Sequence, residues 1–129
     1  MSQSTARELF DLWNAALATS NPETVADLYA SDAVLLPTLS DRIRANRLDI
    51  IDYFAHFLEN RPQGVVTEGH VHAMGNTLVY SGNYIFRCQP ESAPESYTVN
   101  ARFTFVYRRE VNTWKIAVHH SSLLPEHDH

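Results

Sequence analysis

The chain has few of the residues that stabilise secreted or membrane-embedded proteins. Cys88 is the single cysteine among 129 residues, so no intrachain disulfide can form, and we expect a reducing, cytoplasmic setting. No apolar run reaches the length of about 18 residues that a membrane helix needs. The start of the chain, MSQSTARELF, lacks the apolar segment of a signal peptide. We therefore expect no membrane association and no export.

Lysine is almost absent as well. Of the 10 basic residues nine are arginine, so Lys115 is the one candidate for lysine-based covalent chemistry. The formal net charge of −5 argues against nucleic acid or an anionic membrane as a partner. The sequence contains no convincing glycine-rich phosphate loop and no convincing Ser-His-Asp arrangement of a catalytic triad. We expect no cofactor.

The apolar content is sufficient for one folded core. Hydrophobic residues make up 44% of the chain, aromatic residues 11% and charged residues 19%. This composition argues against disorder, and the length fits one domain spanning residues 1–129. We expect residues 124–129 to form a flexible tail.

The first half of the chain has helical periodicity. Thr5 and Glu8 have the spacing of a capping box, and apolar residues then recur at helical spacing, which predicts a helix over residues 5–19. Asn21-Pro22-Glu23 predicts the start of a second, short helix that includes Tyr29. A short strand over 34–36 and a third helix over 46–59 follow.

The second half changes to the alternation of strands. The predicted strands are Val65–Met74, Leu78–Cys88, Tyr97–Arg108 and Trp114–Leu123. Three helices followed by long antiparallel strands indicate an α+β domain in which a strongly bent sheet wraps the helices. The aromatic face formed by Tyr80, Tyr84, Phe86, Phe103, Phe105 and Tyr107 is either the core or an interface between subunits.

The order of elements resembles the nuclear transport factor 2-like superfamily, which has a cystatin-like fold. Within it, His70-Val71-His72-Ala73-Met74-Gly75 is similar to a His-x-His-x-Met-Gly segment of the association (hub) domain of calcium/calmodulin-dependent protein kinase II. Arg108-Arg109 and the closing strand from Trp114 are similar to the same domain. The resemblance implies a cone-shaped fold, self-association through the sheet as a homodimer or larger ring, and a deep pocket whose arginines receive carboxylates.

Two arginines carry the expectation of a ligand site. Arg87 and Arg102 each stand two residues from a pocket arginine of that family, and strand alternation keeps each on the same face. We expect them to share the pocket wall and to bind a small carboxylate or other anionic molecule, together with Asn83, Asn100 and Tyr29. The alternative is an ion pair with an internal acid or an exposed sheet face.

Catalysis is the second hypothesis, and the sequence leaves it open. The superfamily includes ketosteroid isomerases, dehydratases and polyketide cyclases, which place an acid–base residue in the pocket. No aspartate or glutamate lies in the middle of a predicted strand after residue 65. His120, which matches the family position, and Asp32 are the candidates for this role.

Other reactive side chains favour structural roles. His70 and His72 point the same way, and Glu68 lies on their face, which is spacing that can hold a metal. The set is incomplete, so we predict no metal site and favour hydrogen-bonded structural histidines, for which a subunit interface is one possible location. Cys88, beside Arg87, is either a mildly reactive thiol or a structural residue.

Overall fold

The computed structural model describes residues 2–126, which form three helices, one 3₁₀ turn and five strands. The last three residues of the predicted tail lie outside this range. The helices are α1 (Ser2–Ala18), α2 (Pro22–Ala26) and α3 (Arg47–Phe57), which the 3₁₀ turn Leu58–Asn60 follows. The strands are β1 (Tyr29–Leu36), β2 (Gln63–Met74), β3 (Thr77–Cys88), β4 (Tyr97–Glu110) and β5 (Thr113–Leu123).

Asparagine side chains begin the two shorter helices. The Asn21 side chain accepts from the Glu23 backbone N–H at 3.0 Å, and Pro22 occupies the first turn, as the sequence predicts. Asn46 accepts in the same way from Asp49 at 2.9 Å. The first helix starts at Ser2, so Thr5 lies inside it and does not cap it.

Tyr29 belongs to a strand, which corrects the prediction that it ends the second helix. The helix stops at Ala26, and β1 pairs in parallel with β5 from Tyr29 onward, with Tyr29 opposite Ile116. The pairing is irregular between Tyr29 and Val34. The early part of β1 therefore depends on a partner some ninety residues later, which local periodicity does not report.

The five strands form one sheet in the order β1-β5-β4-β3-β2. All neighbours are antiparallel except β1 and β5. Register shifts interrupt the β2–β3 and β4–β5 ladders, and shifts of this kind bend a strand. At the first of them only a glycine fits at position 82, because a Cβ there would lie 1.8 Å from the Glu68 carbonyl oxygen.

The core lies between the helices and one face of the sheet. Trp13 of α1 is 1% exposed and packs against aromatic rings from three strands. The sheet residues on this inner face are Leu78, Tyr80, Tyr84, Phe86, Ala101, Phe103, Phe105 and Tyr107, and all are buried. The aromatic face is therefore the core. Asn14 of α1 also bonds to both backbone polar groups of Gly64 on β2.

Candidate functional site

A small cavity inside the core is lined by His119 and Ser121, two of the buried polar residues of the described chain. Its volume is about 20 Å³, which is room for one water molecule. The walls come from α1, the end of β1, α3, β3 and β5. The lining residues are Trp13, Leu35, Pro37, Thr38, Tyr53, Phe54, Phe57, Tyr84, Phe86, His119 and Ser121. Among them Thr38, Tyr53 and Phe57 are only half-buried, so they mark the side that faces solvent.

A continuous chain of hydrogen bonds runs along this cavity. Trp13 Nε1 donates to Tyr29 Oη at 3.2 Å, and Tyr29 Oη lies 2.8 Å from His119 Nδ1. On the other side of the imidazole, Tyr84 Oη lies 3.2 Å from His119 Nε2 and 2.6 Å from Ser121 Oγ. Ser121 Oγ is hydrogen-bonded in turn to Thr38 Oγ1. We call this series, from Trp13 to Thr38, the hydroxyl relay.

His119 is neutral because its surroundings exclude water. Burial, together with a smaller contribution from the neighbouring His120, lowers its pKa to about 3. The Phe105 ring stacks on the imidazole with 4.0 Å between centroids, and Trp13 meets it edge-on at 5.4 Å. Burial likewise raises the pKa of Tyr29 and Tyr84, so both phenols keep their protons. The relay therefore carries no net charge.

The arginines predicted for the pocket lie elsewhere. Arg87, Arg102 and Asn100 are exposed and Asn83 is half-buried, and all four sit on the sheet face opposite the helices. The prediction that Arg87 and Arg102 share the cavity wall is wrong, because the inner positions of β3 and β4 are held by aromatic rings. Alternation did place them on one common face, with Arg102 directly opposite Asn83. Of the predicted ligand residues, Tyr29 alone belongs to the relay.

The two catalytic candidates also lie outside the cavity. His120 is exposed on the outer face, opposite Thr104. Asp32 is exposed and pairs with Arg108 at 2.8 Å, and this guanidinium lowers the pKa of the carboxyl group. No aspartate or glutamate lines the cavity within residues 2–126.

A bulge in β5 explains why His119, and not His120, enters the cavity. Tyr107 pairs with Ile116 but Val106 pairs with Val118, so Ala117 is an extra residue. Simple alternation from Ile116 would send residue 120 inward, whereas the extra residue sends 119 and 121 inward instead. Sequence reasoning named His120 and missed His119, because the extra residue that exchanges their directions has no local signal.

The remaining reactive side chains do not assemble a metal centre. His70 Nε2 lies 2.7 Å from Glu68 Oε2, and both side chains are exposed. In the described part of the chain no three metal-ligating side chains cluster. Cys88 is buried, and burial raises the pKa of its thiol, which disfavours the reactive thiolate.

Solved structures define the class of fold. A protein from Streptomyces avermitilis, provisionally described as a dehydratase of the NTF2-like family, superposes with a TM-score of 0.77 at 18% identity, over 97% of this chain and 98% of that chain. An NTF2-like protein with a cystatin-like fold from Novosphingobium aromaticivorans gives 0.75 at 14%, over 95% and 82%. At these identities the likeness shows the fold alone, which is NTF2-like.

The family follows from closer matches. The family model for the calcium/calmodulin dependent protein kinase II association domain matches residues 3–125. A structure from Xanthomonas campestris, provisionally described as such a domain, is 46% identical, with a TM-score of 0.91 over 95% of this chain and 87% of that chain. The chain therefore belongs to the calcium/calmodulin dependent protein kinase II association domain family, as the resemblance implied. No curated protein matches it. No helix within residues 2–126 is long and apolar enough to span a membrane.

Proposed function

We propose that the protein is a self-associating domain and that two copies meet through the outer face of the sheet. Membership of an association domain family supports self-association in general. The choice of surface rests on the fold, because the helices and the core lie on the inner face only. Within residues 2–126, no helix covers the outer face of β3 and β4. Sheets of this kind commonly pack face to face.

A row of valines across the outer face is the observation that carries this proposal. The cross-strand pairs place Val79, Val106, Val118 and Val34 side by side on β3, β4, β5 and β1. All four are half-buried in the single chain. A continuous apolar row of this kind on an open sheet face is typical of a protein–protein interface. An isologous dimer would bury the row against its own copy.

Polar side chains flank the valine row with both signs of charge. Glu68, Asn83 and Arg102 form a row across β2, β3 and β4. Arg102 has no hydrogen-bond or ion-pair partner among the described residues, whereas Arg108 pairs with both Asp32 and Glu110. A carboxylate of the second copy would satisfy Arg102 and would compete there with a small carboxylate from solution.

Sedimentation velocity tests this proposal. Val106→Arg puts a charge in the centre of the row and is expected to shift the protein to monomers. Leu48→Arg is the matched control, since Leu48 is 78% exposed on α3, in the helical layer. Circular dichroism shows whether both variants fold. A folded Val106→Arg protein that keeps the wild-type sedimentation coefficient would refute the outer face as the interface.

Small-anion binding by Arg87 and Arg102 stays a prediction, now for the outer face. Their guanidinium groups are exposed there, with Asn83 and Asn100 on the same face. A cytoplasmic location, expected from the lone Cys88, likewise stays a prediction.

The buried histidine favours acid–base catalysis as a second candidate function. His119 lies in the cavity between two tyrosine hydroxyls. A pKa of about 3 makes it a weak base near neutral pH, so this candidate ranks below self-association. Deuterium uptake from D₂O at the α-carbon of acetophenone would support it, provided that His119→Gln abolishes the exchange. No exchange above the buffer rate would exclude this chemistry for a simple ketone.

A further inference from the structure

The hydroxyl relay has a direction, which begins at Trp13. An indole N–H only donates, so Tyr29 Oη is the acceptor in that bond. The proton of the Tyr29 hydroxyl then needs its own acceptor, and His119 Nδ1 at 2.8 Å is the one available among the described residues. His119 Nδ1 therefore accepts and carries no proton.

The direction continues through the imidazole. A neutral imidazole has one N–H, which must be on Nε2 when Nδ1 accepts. His119 Nε2 then donates to Tyr84 Oη at 3.2 Å, and Tyr84 donates to Ser121 Oγ at 2.6 Å. Ser121 Oγ then donates a hydrogen bond to Thr38 Oγ1. Any reversal would leave a buried hydroxyl proton without an acceptor, which is unfavourable.

The relay ends at Thr38 with one donor left over. Thr38 Oγ1 accepts from Ser121, and its own proton has no acceptor among residues 2–126. Thr38 is half-buried at the solvent side of the cavity, beside the rings of Tyr53 and Phe57. An outside molecule with an acceptor atom can reach this position.

The surroundings of Thr38 select against charge. No arginine, lysine, aspartate or glutamate lines the cavity within the described residues, and His119 is neutral. Arg44 is not a lining residue: its guanidinium carbon lies 5.5 Å from the centre of the Tyr53 ring, and its Nη1 is paired with Asp52 at 3.1 Å. A buried carboxylate would lack a counter-charge, which is costly. Aromatic rings suit a flat apolar group instead.

We propose that this cavity binds a neutral, flat small molecule through a carbonyl oxygen that accepts the hydrogen bond of Thr38. The free volume of about 20 Å³ accommodates the carbonyl group, and the rest of the molecule lies outward against Tyr53 and Phe57. This site differs from the anion site that the sequence indicated. It is also independent of self-association, since the cavity faces away from the outer sheet face.

Benzamide and benzoate test the proposal as a matched pair, because they have the same shape and differ in charge. Binding is followed through the His119 ring signals in NMR, which report on the cavity and not on the exposed arginines. We expect benzamide to shift these signals in a saturable way and benzoate to bind at least about tenfold more weakly. Toluene, which has no acceptor, is expected to bind more weakly than benzamide.

Thr38→Val removes the hydroxyl and keeps the shape. Loss of one net hydrogen bond predicts about three- to tenfold weaker benzamide binding. Thr104→Val, on the outer face, is the control and should leave binding unchanged. The ¹⁵N shifts of His119 should show the proton on Nε2. Absence of benzamide binding at millimolar concentration, equal binding of benzoate or toluene, an unaffected Thr38→Val protein, or a proton on Nδ1 would each overturn the proposal.

Discussion

Tyr29 and His119 are 90 positions apart in the chain, yet their side chains share a 2.8 Å hydrogen bond in the middle of the core. The bond exists because β1 pairs in parallel with β5, which also places Leu35 opposite His119. The relay therefore forms only when the two ends of the chain have come together. The site therefore exists only when the sheet is complete, and substitutions that destabilise the sheet also disrupt the site.

Removal of the Tyr29 hydroxyl should destabilise the fold. Tyr29→Phe leaves the Trp13 indole N–H and His119 Nδ1 without their partner in the buried core. We expect a loss of about 1–3 kcal/mol in the free energy of unfolding, measured by urea denaturation. Tyr97→Phe is the control, since the Tyr97 hydroxyl bonds to Asn60 at an exposed site. Equal effects of the two substitutions would contradict the buried relay.

The stability of the protein should fall as the pH drops below about 6.5. The folded-state pKa of His119 is lowered from 6.5 to about 3, so between these values the unfolded chain binds a proton that the folded chain does not. Protonation of His119 therefore does not reduce the free energy of unfolding above pH 6.5, and reduces it progressively as the pH falls from 6.5 toward 3. The limiting slope is about 1.4 kcal/mol per pH unit.

His119→Gln should flatten this pH dependence, because glutamine does not titrate. His120→Gln is the natural control, as His120 is the adjacent residue and is exposed. Thermal unfolding between pH 4 and 8 measures both. If His120→Gln flattens the profile and His119→Gln does not, the assignment of the buried histidine is wrong.

Gly82 should tolerate no side chain. An added Cβ would meet the Glu68 backbone oxygen at 1.8 Å, and backbone atoms of β2 cannot move away as a flexible side chain does. We expect Gly82→Ala to destabilise the protein by more than about 2 kcal/mol in chemical denaturation. Gly75→Ala is the comparison. Gly75 has open space around its Cβ position, and its positive φ of 60° predicts a smaller loss, of about 1 kcal/mol.

Arg102 should bind carboxylates better than Arg108 does. Arg108 is already engaged by Asp32 and Glu110, whereas Arg102 has no partner among the described residues. In calorimetry with acetate and succinate, Arg102→Ala should weaken binding by about tenfold or more, and Arg108→Ala should change it little. Equal losses, or no binding to the wild type, would remove the anion hypothesis.

The sequence predicted most of the fold because its signals are local. The capping asparagine at Asn21, the period of α1 and the alternation of β3 and β4 each follow from neighbouring residues. Alternation also placed Arg87 and Arg102 on one face. It did not reveal which face the helices cover, since that choice depends on which side buries more apolar area. The aromatic side was the core, and the arginines remained outside.

Sequence by itself determined the fold class, the family and the residue types that the core would use. Tertiary structure decided which of these residues meet. The extra residue at Ala117 turns His119 inward and His120 outward, and the parallel pairing of β1 with β5 brings Tyr29 to it. The first depends on the register of the β4–β5 ladder and the second on pairing between strands from opposite ends of the chain, and no local pattern specifies either register. The candidate site is therefore a property of the assembled sheet.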